Sequence, residues 1–140
     1  MKHRFTIHYR LPSLNEYLNK CKFNKHMAAQ FKMIHDRRIY DEVKSQLHDL
    51  KITKPIKLHI TWIEENRKRD VDNVYSAVKY ILDALVKAEV LQNDNAKRVK
   101  DISNEIIYAD TSEVIVEIEE LEDDLYEIKR LHRVLWKWIR

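Results

Sequence analysis

Glycine is absent from this chain of 140 residues, and proline occurs only at Pro12 and Pro55. Without glycine there is neither a Walker-type phosphate loop nor a dinucleotide-binding turn, since both need backbone that a Cβ would obstruct. Turns have to come from Asn, Asp, Lys and Ser. A single cysteine, Cys21, excludes an internal disulfide and a cysteine-rich zinc site, and a reducing compartment is the simpler expectation. The seven histidines are scattered, with no close pair at helical ligand spacing. No segment approaches the length of a membrane span, and the opening Met1–His8 lacks the apolar run of a signal peptide. The expectation is a cytoplasmic protein with no membrane partner.

What is abundant is charge. Apolar residues make up 44% and charged residues 35%, a balance that fits one soluble globular domain with a crowded ionic surface. The formal net charge of +3 decides nothing, but its distribution is uneven. Lysine and arginine outnumber acids across residues 1–60, residues 110–127 carry acids and no basic residue, and the chain ends on Lys129, Arg130, Arg133, Lys137 and Arg140. Basic surface concentrated on particular faces is what a polyanion binder needs.

Hydrophobic periodicity predicts a mixed α+β architecture, a small mixed sheet packed against helices with an additional C-terminal helix. Phe5–Tyr9 has strand composition, and Ser13 can cap a helical turn starting near Leu14 and Asn15. Residues 25–50 recur at helical intervals, with a phase slip near Arg38. Ile56–Ile63 alternates as a half-buried strand. From Asp72 to Glu89, Val74, Val78, Ile81, Leu82, Leu85 and Val86 form one apolar stripe, with Asp72 as N-cap or very near it. Short strands are expected at 96–99 and 105–108 and a longer one at 114–119. Helical spacing then resumes through Leu121, Leu125, Ile128, Leu131, Leu135 and Trp138. Residues 1–120 read as the main domain and 121–140 as a helical extension of it.

The chemistry concentrates in Arg67-Lys68-Arg69-Asp70-Val71-Asp72-Asn73, with Asn93-Asp94 further on. Lysine and arginine attract and position a phosphate backbone, and grouped carboxylates hold a hard divalent cation. This combination points to a small metal-dependent nuclease. Asp70 and Asp72 project to one side if the segment is extended. Asp94 must then return to them after a helix. Seven residues past Asp72, a continuous helix has turned by about 700°, which puts Lys79 on the Asp72 side with Asp83 as its i+4 neighbour. There Lys79 can stabilise charge on a phosphate, or simply pair with Asp83 at the surface. The bland alternative for Asp70 and Asp72 is a solvated, capped turn. Trp62, Trp136 and Trp138 read as packing residues before base-stacking ones.

With these residues in view, the chain resembles the RusA family of Holliday-junction endonucleases. The likeness lies in Arg69-Asp70-Val71-Asp72-Asn73, then Ile81-Leu82-Asp83-Ala84-Leu85, Lys87-Ala88 and Val90-Leu91-Gln92-Asn93-Asp94, with an echo in Leu11-Pro12-Ser13-Leu14-Asn15. It implies a dimeric, Mg²⁺-dependent enzyme, with Mn²⁺ as a substitute, that cuts four-way DNA junctions symmetrically. It also implies that Asp70, Asp72 and Asp94 are the acidic, metal-holding residues and that a lysine, best matched by Lys79, assists. Arg67, Lys68, Arg69 and Asn73 are the expected DNA contacts. Three departures stand out. Lys79 lies further from Asp72 than the lysine of the family's best-known branch does, Glu89 replaces a common glycine, and Asn93-Asp94 replaces a pair of acids. Competing readings are a flap or branched-DNA nuclease of broader specificity, a noncatalytic DNA-structure binder, and a protein-interaction module using the 121–140 helix.

Overall fold

The computed structural model describes residues 1–139. A six-residue strand β1 (Lys2–Ile7) leads through buried Leu11, Pro12 and Ser13 into two consecutive helices, α1 (Leu14–Phe23) and α2 (Lys25–Leu47). Ser13 caps α1 as expected, its hydroxyl accepting from the Glu16 amide at 3.2 Å. Asn24 is the only residue between the helices and caps α2 by accepting from the His26 amide. The expected phase slip near Arg38 does not interrupt α2. It marks a change of surroundings, because Ile39 and Val43 are buried while Met27 and Ile34 are exposed.

Strand β2 (Ile56–Glu64) is the centre of the sheet. A short helix α3 (Val71–Tyr75) and a ten-residue helix α4 (Val78–Lys87) connect it to β3 (Val99–Tyr108), and β4 (Glu113–Glu120) follows. The strand order is β1-β4-β2-β3. β3 is parallel to β2 and needs the helical crossover, while β4 runs antiparallel to both β2 and β1. The sequence reads β3 as two short strands because, on this sheet edge, only weak alternation of burial marks it.

Alternate residues of the strands supply the core: Phe5 and Ile7, Ile56 to Trp62, and Val114 to Ile118. They meet α2 and the apolar face of α4, where Ile81 and Leu85 are fully buried. Trp62 is a packing residue, 1% exposed, with its indole N–H satisfied by Asn104 at 3.0 Å. The opposite face of the sheet is half-open and polar, with His59 bonded to both Ser103 and Glu105. The small α+β fold expected from the sequence is thus the one observed.

The last helix, α5 (Asp123–Ile139), follows β4. Among the described residues it takes part in none of the main packing contacts. Trp138 is 85% exposed and Leu131 59%, so Trp138 does not pack as the sequence reading expected. Leu125, Ile128 and Lys129 of the apolar and basic stripes lie outside the side chains described, as does Arg140. No helix among the described residues is long and apolar enough to cross a membrane.

Candidate functional site

The segment after β2 is anchored from beneath. Continuing the inward parity of Ile56, Leu58, Ile60 and Trp62, Glu64 points into the interior and is only 6% exposed. A buried carboxylate needs a cation, and Arg69 supplies it. The guanidinium Nε donates to Glu64 Oε1 at 2.9 Å, a second N–H donates to the same oxygen, and Nη1 donates to the Leu11 carbonyl at 2.9 Å. Arg69 also lies 3.9 Å from Glu16. Expected as a DNA contact, it instead fastens the site loop to the β1–α1 connection. The sequence reading missed Glu64, and the signal that could have found it is an acid on the inward parity of a strand, which demands a partner.

Asp70 stands at the N-cap position of α3 with extended backbone (φ −66, ψ 154), yet its carboxylate makes no capping bond. Asp72, expected at the cap or very near it, lies inside the first turn. The extended-chain argument for a shared side therefore applies only to Asp70. Both side chains are exposed, and neither has a hydrogen-bond or ion-pair partner among the described residues. Asn73 is held by Asn15, whose amide donates to its oxygen at 2.6 Å.

Ser76 explains why the helix expected over 72–89 is broken. Its hydroxyl donates to the Asn73 carbonyl at 2.6 Å and accepts from the Leu14 amide at 3.0 Å. Local side-chain bonds of this type compete with helical ones. The backbone responds with short-range bonds, Ala77 N to Val74 O and Tyr80 N to Ala77 O. A continuous turn of about 700° between Asp72 and Lys79 is thus not realised.

Lys79 forms a second cluster. Its ammonium lies 2.9 Å from Asp83 Oδ1 and 3.4 Å from Asp94 Oδ2. Its pKa is raised, first by the hydrogen bond to Asp83, then by that residue's charge and by Asp94. Asp83 continues to Lys32 at 3.9 Å, and Lys32 to Asp36 at 2.7 Å. The expected return of the chain after α4 does bring Asp94 to the helix, where it meets Lys79. Glu89 makes that return possible with φ at 61, the conformation for which glycine is favoured. Val90 N bonds to Leu85 O and Glu89 N to Val86 O, a Schellman closure.

Magnesium keeps several waters and takes one or two protein carboxylates together with substrate phosphates. The unpaired carboxylates of Asp70 and Asp72 fit that donor set. The three-aspartate centre implied by the resemblance is not assembled. Among the described residues, no three His, Cys, Asp or Glu side chains form a metal-holding group. Asp94 has the Lys79 ammonium for its partner.

Basic side chains flank the turn. Arg67 stacks its guanidinium 3.9 Å from the centre of the Tyr108 ring, and Lys68 is exposed. Lys68 and Arg10 line a cleft of about 180 Å³ with Glu64, Asn66 and Arg69. Asn15 and Ser76 are further members of the site. Asn15 was visible as part of the Leu11–Asn15 echo, whereas nothing in the sequence distinguished Ser76. Compared with known protein families and with curated protein sequences, the chain matches none.

Proposed function

We propose that this protein is a metal-dependent, structure-selective endonuclease that cleaves branched DNA, with four-way junctions as the favoured substrate and a twofold dimer as the working form. The observation that carries the reading is the pair of exposed carboxylates at Asp70 and Asp72, without a partner among the described residues, beside a turn that Arg69 and Asn73 tie to Leu11 and Asn15. The two stretches behind the family resemblance are thus physically joined. Mg²⁺ held by Asp70 and Asp72 would lower the pKa of a bound water and polarise the phosphodiester. The chain's own part is positioning. Arg67 and Lys68 attract the backbone phosphates, Arg69 fixes the loop that carries the acids, and Lys79 supplies positive charge beside Asp94. Hydrolysis adds water across the P–O3′ bond and leaves a 5′-phosphate end.

The test is cleavage of a synthetic four-way junction with and without Mg²⁺, run beside Asp72→Asn. Symmetric, Mg²⁺-dependent cuts that vanish in the variant support the reading, and flaps, forks and duplex in the same gel measure selectivity. One observation favours a second reading, a noncatalytic DNA-structure binder: Asp94 is paired with Lys79 and joins no metal-holding group among the described residues. Salt-sensitive junction binding with no cutting in Mg²⁺ or Mn²⁺ would select it.

A further inference from the structure

The α1–α2 corner carries a feature that the acidic site does not use. From Tyr17 to His35 the chain has four lysines and no acid. At the apex, where Asn24 alone separates the helices, Phe23 is 84% exposed. Lys20, Lys22 and Lys25 surround it in sequence and have no ion-pair partner among the described residues. Phe23 is not part of an apolar stripe. Leu14 and Leu18 share a side of α1, and Phe23 is rotated by about 140° from Leu18 and about 180° from Leu14. A lone ring among lysines suits a flat aromatic partner within a polyanion better than it suits a bilayer, which takes up a continuous apolar face.

We propose that Phe23 is a stacking residue for an unpaired or branch-point DNA base, with Lys20, Lys22 and Lys25 holding the adjoining phosphates. This deepens the reading of a branched-DNA enzyme but does not depend on cleavage. A surface groove of about 520 Å³ lined by Asn15, Leu18, Asn19, Cys21 and Lys22 runs along α1 towards this corner. One end is Asn15, bonded to Asn73 of the acidic turn. A ten-residue helix spans about 15 Å, roughly four nucleotides of stacked strand at 3.4 Å each. The corner therefore lies within a few nucleotides of Asp70 and Asp72, where a strand leaving a branch point can reach it.

The experiment measures binding by the full chain in EDTA to three DNAs, a four-way junction with 2-aminopurine at the branch point, a single strand and a matched duplex. Phe23→Ala should weaken junction and single-strand binding roughly tenfold and quench the 2-aminopurine response, with duplex binding changed less than twofold. Phe23→Trp should restore both, and Lys22→Glu with Lys25→Glu should weaken all three. Unchanged binding by Phe23→Ala, or an equal loss on every DNA, overturns the proposal. So does a selective loss of binding to phosphatidylserine vesicles with DNA affinity intact. A chain that binds through Phe23 but never cuts in Mg²⁺ keeps this inference and refutes the nuclease reading. A chain that cuts while Phe23→Ala binds normally does the reverse.

Discussion

Asn15 donates its side-chain amide to Asn73 Oδ1 at 2.6 Å, joining the start of α1 to the first turn of α3 across 58 positions of sequence. Each residue is otherwise an ordinary polar surface group, so their value lies in registering two segments. Asn15→Ala and Asn73→Ala should each cost about 1 kcal/mol of stability, and the double variant should cost little more than either alone. Thermal unfolding of the four proteins in this cycle measures the coupling. Additive losses would mean that the two side chains act separately.

Arg69 and Glu64 set a larger stake. Their side chains are 13% and 8% exposed, and removing one partner of a buried ion pair strands the other. Arg69→Ala should destabilise the chain by about 3 kcal/mol, lowering the denaturation midpoint without changing its slope. Arg69→Met combined with Glu64→Leu removes both charges and should recover most of the loss. If the double variant is no more stable than Arg69→Ala, the geometry of the fork rather than its charge balance maintains the loop.

Glu89 sits at φ 61 after α4, where a Cβ crowds the backbone. Its carboxylate reaches Lys51 only at 3.6 Å on open surface, an interaction of little weight. Glu89→Gly should therefore stabilise the protein by about 1 kcal/mol, raising the melting temperature by about 3 °C. A fall in melting temperature would show that flexibility gained by the unfolded chain outweighs the relief of strain.

The contrast between Glu89 and Ser76 shows how far the sequence can be read. Patterns set by burial were legible, because the alternation of Ile56–Ile63 and the 3.6-residue spacing of Val78 to Val86 follow from which side meets the core. So was Ser13, whose cap is a local bond. The break at Ser76–Ala77 was hidden, since it depends on the Leu14 amide, 62 residues away. The same break removes the continuous-helix argument that placed Lys79 on the Asp72 side. Arg69 could be read only as basic surface until Glu64 was recognised as facing inward. For Asp70 and Asp72, residue type and spacing identified the turn but not which of the two stands at the N-cap position.

His35 sets an acid limit on stability. Its pKa is lowered, first by burial and then by Arg38, with Glu16 and Asp36 opposing weakly. Packed against Phe31 and Tyr9, its Nδ1 has no hydrogen-bond partner among the described residues. A folded pKa below the unfolded value of 6.5 means that the unfolded state binds the proton more readily. The stabilising contribution is complete above pH 6.5 and is lost as pH falls through the lowered folded value. The melting temperature should decline on moving from pH 7.5 towards 5, and His35→Gln should flatten that part of the profile. The separate loss below about pH 4.5, where Glu105 and Glu122 have lowered pKa values through His59 and Lys54, should persist in the variant.

Lys79 decides whether Asp94 belongs to the proposed metal centre. Its ammonium lies between Asp83 and Asp94, and a divalent ion sought by Asp70, Asp72 and Asp94 together would have to compete with it. Lys79→Met frees the Asp94 carboxylate and removes one positive charge. If Asp94 is a ligand restrained by the lysine, the variant should bind Mg²⁺ about tenfold more tightly than the parent, from about 1.4 kcal/mol of lost competition. Titration calorimetry with Mg²⁺ alone reads this without requiring activity. If Lys79 also steadies charge on the phosphate, junction cleavage in the same variant should fall in kcat by a hundredfold or so, as for the loss of one preorganised donor, with KM little altered. Tighter metal binding with full cleavage would leave Lys79 as a surface partner of Asp83. Unchanged metal affinity, with Asp94→Asn equally silent, would confine the ligand set to Asp70 and Asp72.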